Sequence, residues 1–334
     1  SNTGSLDGIA ITLSSLLSDK VYLSHLRFCN HYTDHHIVRI VFTNPKPNIL
    51  FYDLDFTNNE NDGSNGGAAL IVDKVDTITF ESCNFDSNNA KETGGGAIHI
   101  ETNNLAFIDC TFTNNSSPEN GGALYFGGEK GIKLQGCIFK NNLAANHGGA
   151  ICAETGLLSL NLSDCTFINC TANESSFISM IENPNNNNVQ KMIEVKKCNF
   201  SQLESDVKSS VHFIVKDDID FTFEYNIFDS LQCIGEYGGS GLRIDSNNQN
   251  TEIIGCSFIN CKAASSQICV KSDDENANYK FSECTFSYNR QETDRNTRAV
   301  YIYADIQVEF EHCNFEDYTR GDSGFAVKTE ASNH

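Results

Sequence analysis

The chain has 334 residues, 44 acidic against 23 basic, for a formal charge of −21. That balance argues against a nucleic-acid backbone, which needs a basic face, and against an anionic membrane surface as the direct partner. No run of about 18 apolar residues is present, so this segment holds no transmembrane helix.

Residues 1–6 lack the basic and apolar parts of a signal peptide. Residues 8–13 read as a partial strand and residues 14–20 as a cap, so 1–20 is expected to be an N-terminal cap or partial coil. Solenoids need such covers, because an open edge invites pairing with another chain.

From Val21 a frame takes over: two apolar residues two apart, then usually Cys, any residue, and Phe. Its clearest copy is Ile78-Thr79-Phe80-Glu81-Ser82-Cys83-Asn84-Phe85. The closing Phe recurs at 28, 56, 85, 112, 139, 167, 200, 228, 258, 286 and 315, in steps of 27 to 33 residues. A period this steady marks a repeat architecture. Three strand-like segments in about 27 residues make one turn of a parallel β-helix. The chain is therefore expected to be all-β, with a parallel β-helix of about eleven coils over 21–334, roughly 50 Å long at strand spacing. Cys and Phe two apart point to the same side of a strand. Phe56, Phe85, Phe112, Phe139 and Phe167 are thus predicted to be core, with Cys83, Cys110, Cys137 and Cys165 beside them.

There are fourteen Cys. Eight share the frame's Cys column: 83, 110, 137, 165, 198, 256, 284 and 313. Leu26, Leu54 and Asn226 fill it elsewhere. A column that accepts Leu reads as a buried, small-to-medium apolar site, and stacking suits a ladder of thiols better than disulfides. Cys261 and Cys269, off the column, are close enough in sequence for a local bridge, though connectivity does not follow from spacing. No zinc-type spacing of Cys and His appears, and no cofactor is expected.

Between 56 and 167 the copies carry a second signature. Asn59, Asn88, Asn115 and Asn142 each stand three places after the Phe. A variable polar stretch follows, then Gly66-Gly67-Ala68, Gly95-Gly96-Ala97, Gly121-Gly122-Ala123 and Gly148-Gly149-Ala150. The Asn suits a turn, and stacked copies can bond amide to amide along the axis. The paired Gly suit a sharp corner.

After 167 the copies drift. Candidate chemistry there and elsewhere is thin. Asp217-Asp218 and Asp273-Asp274 are adjacent acids that read as solvated turns; a glycosidase needs two carboxylates across a groove. His147 reads as a polar turn residue, and His35-His36 has no partner spacing for a metal. Arg320-Gly321-Asp322 is the tripeptide by which matrix proteins engage integrins, and it falls in a loop predicted to be exposed. After Phe315 no cap is recognisable, as expected for a fragment of a longer chain.

Phe-x-x-Asn paired with Gly-Gly-Ala, four times in succession, resembles the repeat of the polymorphic membrane proteins of chlamydiae, with similar repeats in trichomonad surface proteins. The resemblance implies a right-handed parallel β-helix displayed at a cell surface and acting in adhesion. The expected role is an extracellular or cell-surface recognition scaffold without catalysis. Its partners would be a host or neighbouring cell-surface protein or glycan, with self-association as a further possibility. The alternatives are a carbohydrate-active, pectate-lyase-like enzyme and a structural unit that assembles end to end.

Overall fold

A computed structural model describes residues 11–13, 20–33, 38–41, 48–63, 67–73, 76–127, 131–154, 159–181, 191–202, 209–215, 219–233, 238–246, 250–263, 265–272, 277–287, 298–303, 306–316, 318 and 326–330. Among these, every regular element is a β-strand. The strands stack into three parallel sheets of twelve, eleven and eleven strands, with a flanking ladder of five short strands and a further pair.

One coil shows the plan. Ile98–Glu101 lies in the first sheet, Asn104–Ile108 in the second, Thr111–Thr113 in the third and Ser116–Ser117 in the flanking ladder. Each strand pairs with its counterpart in the coils before and after it. Phe85 thus faces Phe56 and Phe112, and Leu105 faces Ile78 and Ile132. Sequence period becomes spatial register without exception along the Phe column.

That register stacks identical side chains. From Phe28 to Phe315 each closing Phe lies over the next, with ring centroids 4.6 to 5.2 Å apart and planes within 12° of parallel. A second stack, Phe51, Phe80 and Phe107, meets the first edge-on; Phe107 and Phe112 sit 5.2 Å apart at 81°. Inward residues of the first sheet, such as Ile98, Ile100, Leu124 and Phe126, close the third side of the core. Burying each Phe stabilises the stack by about 1.5–3 kcal/mol.

The Gly-Gly-Ala copies need one correction. Gly95, Gly121 and Gly148, the first Gly of their pairs, have φ of +78, +65 and +62°, a region closed to most side chains. In the preceding coil that position is Gly67, with φ +64°. Leu70 pairs with Ile98, so the equivalent run is Gly67-Ala68-Ala69, one residue on from Gly66-Gly67-Ala68. Strand register overrides the visual match of the letters. The second Gly serves close approach: a Cβ on Gly122 would collide with the carbonyl oxygen of Gly149 one coil on.

Candidate functional site

Each coil turns at two corners built alike. At the first, a left-handed residue (Ser82, Asp109 or Asp164, φ 52–55°) precedes the Cys column. At the second, Ser87, Asn114 or Asn141 (φ 54–56°) precedes Asn88, Asn115 or Asn142. Asn and Asp tolerate this conformation best among residues with a side chain.

The second corner carries a buried amide ladder. Asn115 Nδ2 donates to the Phe85 carbonyl at 2.9 Å and to Asn142 Oδ1 at 3.0 Å; the same Oδ1 accepts from the Asn115 backbone N–H at 3.0 Å. Asn88 repeats the set toward Phe56 and Asn115. The ladder begins where Asn59 Oδ1 accepts from His31 N–H at 3.2 Å. Its run of Asn ends where Asn142 Nδ2 meets Cys170 Sγ at 3.6 Å.

The first corner solves the same problem with sulfur. Cys83 Sγ donates to the Phe51 carbonyl at 3.6 Å, Cys137 to Phe107 at 3.4 Å and Cys284 to Ile253 at 3.2 Å. Asn226 does the same with an amide, donating to the Val195 carbonyl at 2.7 Å and accepting from Cys198 N–H at 2.9 Å. Conversely Cys261 stands in the Asn column and donates to the Phe228 carbonyl at 3.2 Å. The column is therefore a donor position as well as an apolar one. Sequence reasoning missed this, although Asn226 in that column was the signal.

None of the fourteen cysteines, all among the described residues, forms a disulfide. Cys261 and Cys269 form no bridge, because one faces the core at a corner and the other lies on the outer side of the first sheet. Burial pushes the thiols of Cys170, Cys256, Cys261 and Cys269 up to about 12. They stay protonated at neutral pH and supply neither nucleophile nor soft metal ligand. Among the described residues no three His, Cys, Asp or Glu are placed to hold a metal, and no helix is long and apolar enough to cross a membrane.

The outer face of the first sheet holds a group that sequence reasoning did not single out. Ser179, His212, Arg243, Cys269 and Tyr301 pair in turn along one column. They alternate with core residues and so point outward, yet all but Arg243 are buried. Asp245 accepts from Arg243 at 2.8 and 3.1 Å and meets His212 Nε2 at 3.2 Å. Burial alone would raise the Asp245 pKa; the bonds from His212 and Arg243 outweigh it and hold the carboxyl below its ordinary range. The arrangement ties successive coils together by a neutralised charge cluster. These residues lie in the drifted copies, where no repeated motif marks their alignment.

Arg320, Gly321, Asp322, Asp217, Asp218, Asp273, Asp274, His35, His36 and Gly66 lie outside the described residues. His147 sits at the corner before Gly148, its N–H bonded to Asn120 Oδ1 at 3.2 Å and its carbonyl accepting from Gly121 N–H at 2.9 Å.

Two open grooves mark the exterior. One, of about 200 Å³, crosses the second sheet where Gly131 and Ala106 interrupt the outward columns beside Asn104, Lys133 and Asn161. The other, of about 320 Å³, crosses the outside of the Asn corner in successive coils, lined by Asn30, His31, Tyr32, Asn58, Glu60 and Ser87 among others. Tyr32 is 72% exposed there, and its hydroxyl donates to Asp62 at 2.7 Å. That bond raises the phenol's pKa and keeps it a donor.

The Chlamydia polymorphic membrane protein repeat matches residues 109–127 and 136–154. Each match begins at a left-handed residue, Asp109 or Gly136, and runs through both corners and the Gly-Gly-Ala turn. The chain carries repeats of this type. No curated protein and no solved structure matches it.

Proposed function

We propose that this chain is a cell-surface recognition scaffold that acts in adhesion, binding a protein or glycan on a host or neighbouring cell. The single observation behind this reading is the division between inside and outside. Phe stacks and corner donors repeat from coil to coil, while outward positions change at nearly every step, as in Thr79, Ala106, Lys133, Asn161 and Glu194 along one column. A core that repeats fixes shape; an exterior that varies on a rigid frame suits recognition. The polymorphic membrane protein repeats at 109–127 and 136–154 support the same reading. The thiols of Cys170, Cys256, Cys261 and Cys269 do not compete with it, because burial keeps them protonated.

The test is direct. Fluorescently labelled protein is applied to a panel of cultured cells and its binding compared with that of the heat-denatured chain. Saturable binding by the folded protein alone supports the reading. Absence of saturable binding on every cell type, together with turnover of a polysaccharide, would replace it with the enzymatic alternative.

A further inference from the structure

We infer that the groove outside the Asn corner is a binding site for a neutral saccharide, with Tyr32 as its aromatic platform. This inference rests on the recognition reading above and names the ligand class of one site on that surface.

The groove is built from side chains whose chemistry matches a sugar ring. A pyranose presents hydroxyls around its edge and a patch of C–H bonds on its face. Exposed aromatic rings pack against such C–H faces, and amides supply paired donors and acceptors for hydroxyls. Tyr32 offers the ring. It is the most exposed of the large hydrophobic residues of the described chain, and the bond from its hydroxyl to Asp62 at 2.7 Å restrains the ring before any ligand arrives. Restraint of this kind lowers the entropic cost of binding.

The amides are also held in place. Asn58 Nδ2 donates to Asn30 Oδ1 at 2.7 Å, which leaves Asn30 Nδ2 as a donor and Asn58 Oδ1 as an acceptor among the described residues. Ser87 lines the same groove one coil further on. Both Asn and Ser87 sit at left-handed corners with φ of 55 to 57°, so their backbone is fixed by the fold. A buried layer lies directly beneath: Asn59 bonds Phe28, His31 and Asn88. The surface polar groups are thus carried by a corner that buried hydrogen bonds hold in place. The volume of about 320 Å³ suits a small ligand of one or two rings.

Charge selects within the sugars. Glu60 lines the groove and is held by Lys91 at 3.2 Å, Asp62 lies behind Tyr32, and the whole chain carries −21. Among the described residues no Lys or Arg lines the groove. A uronate, sialate or sulfate would meet repulsion without a compensating cation. The second-sheet groove contrasts, since Lys133 stands in it.

The experiment applies the full chain to an array of neutral, sialylated and sulfated oligosaccharides, then titrates the best neutral binder by calorimetry. Tyr32→Ala and Asn58→Ala are compared with wild type, and Lys133→Ala serves as the control. Melting curves confirm that each variant is folded; Asn58→Gly replaces Asn58→Ala if the corner fails to fold. The expected result is binding to neutral sugars, weakened about tenfold or more by either groove variant and unchanged by Lys133→Ala. No neutral sugar bound, preference for the charged sugars, or equal affinity in Tyr32→Ala would overturn the assignment. Cell binding separates the two claims. Saturable cell binding with no neutral sugar bound on the array would end the saccharide site and leave the recognition reading standing. Sugar binding on the array without cell binding would do the reverse.

Discussion

The two corners of each coil perform one task with two chemistries. Both place a left-handed residue ahead of an inward side chain, and both can direct a donor at the carbonyl of the preceding coil, as Cys83, Cys137 and Cys284 do, whereas Cys110, Cys165 and Cys198 donate to the carbonyl two residues back. Asn115 donates to Phe85 at 2.9 Å; Cys137 donates to Phe107 at 3.4 Å. The difference is that an amide also accepts. Asn142 Oδ1 takes two bonds from Asn115 and so joins coil to coil, whereas a thiol is a weak donor that packs as a small hydrophobe. Asn226 in the Cys column and Cys261 in the Asn column show that geometry sets the requirement and either residue type meets it. A column of Cys in a repeat protein therefore need not signal disulfide or metal chemistry.

The comparison is broken most severely by removing what both corners lean on. Phe112→Ala opens a cavity between two neighbours stacked at 4.7 and 4.8 Å. It should cost about 3–5 kcal/mol by chemical denaturation. Next comes Asn115→Ala, which strands the Phe85 carbonyl and the Asn88 N–H in a buried setting. Each unpaired group costs about 1–3 kcal/mol. Asn115→Cys should lose less, because a thiol at that column reaches the preceding carbonyl as Cys261 does. An equal loss in the two variants would show that the thiol bonds contribute nothing. Cys137→Ala removes a weak donor and a small volume, for about 1–2 kcal/mol.

Two smaller effects sharpen the picture outside the corners. Alkylation by iodoacetamide at neutral pH should reach Cys29 and Cys313, the half-buried thiols, well before the buried ones. Peptide mapping that found Cys110 or Cys137 labelled first would contradict a sealed core. At the outer cluster, the depressed pKa of Asp245 means stability is present above the ordinary carboxylate pKa and lost as pH falls through the lower folded value. The stability gap between wild type and Asp245→Asn should narrow as pH falls from about 5 toward 2. A gap independent of pH would remove Asp245 from the acid response.

Much of the architecture was legible because the repeat states it many times. Phe at 27 to 33-residue steps, with Cys two before it, yields the stack directly. The thiol bonds were not legible, since Cys and Leu share a column and only Asn226 hints at a donor. The Gly66-Gly67-Ala68 match misled by one residue, because identical letters outvoted the strand register that pairs Leu70 with Ile98. His212, Arg243 and Asp245 were invisible because spacing drifts after Phe167, and alignment there depends on knowing which strands pair. Tyr32 was missed for another reason: a single exposed ring carries no period.

The central claim is that the interior sets shape and the exterior recognises. Cell-surface binding by wild type and by the Cys110→Ala, Cys137→Ala double variant, measured side by side where melting curves show both folded, tests it most directly. The predicted result is equal affinity despite the lower stability of the variant. Loss of binding by a variant that remains folded would place the thiol column in recognition and contradict the division.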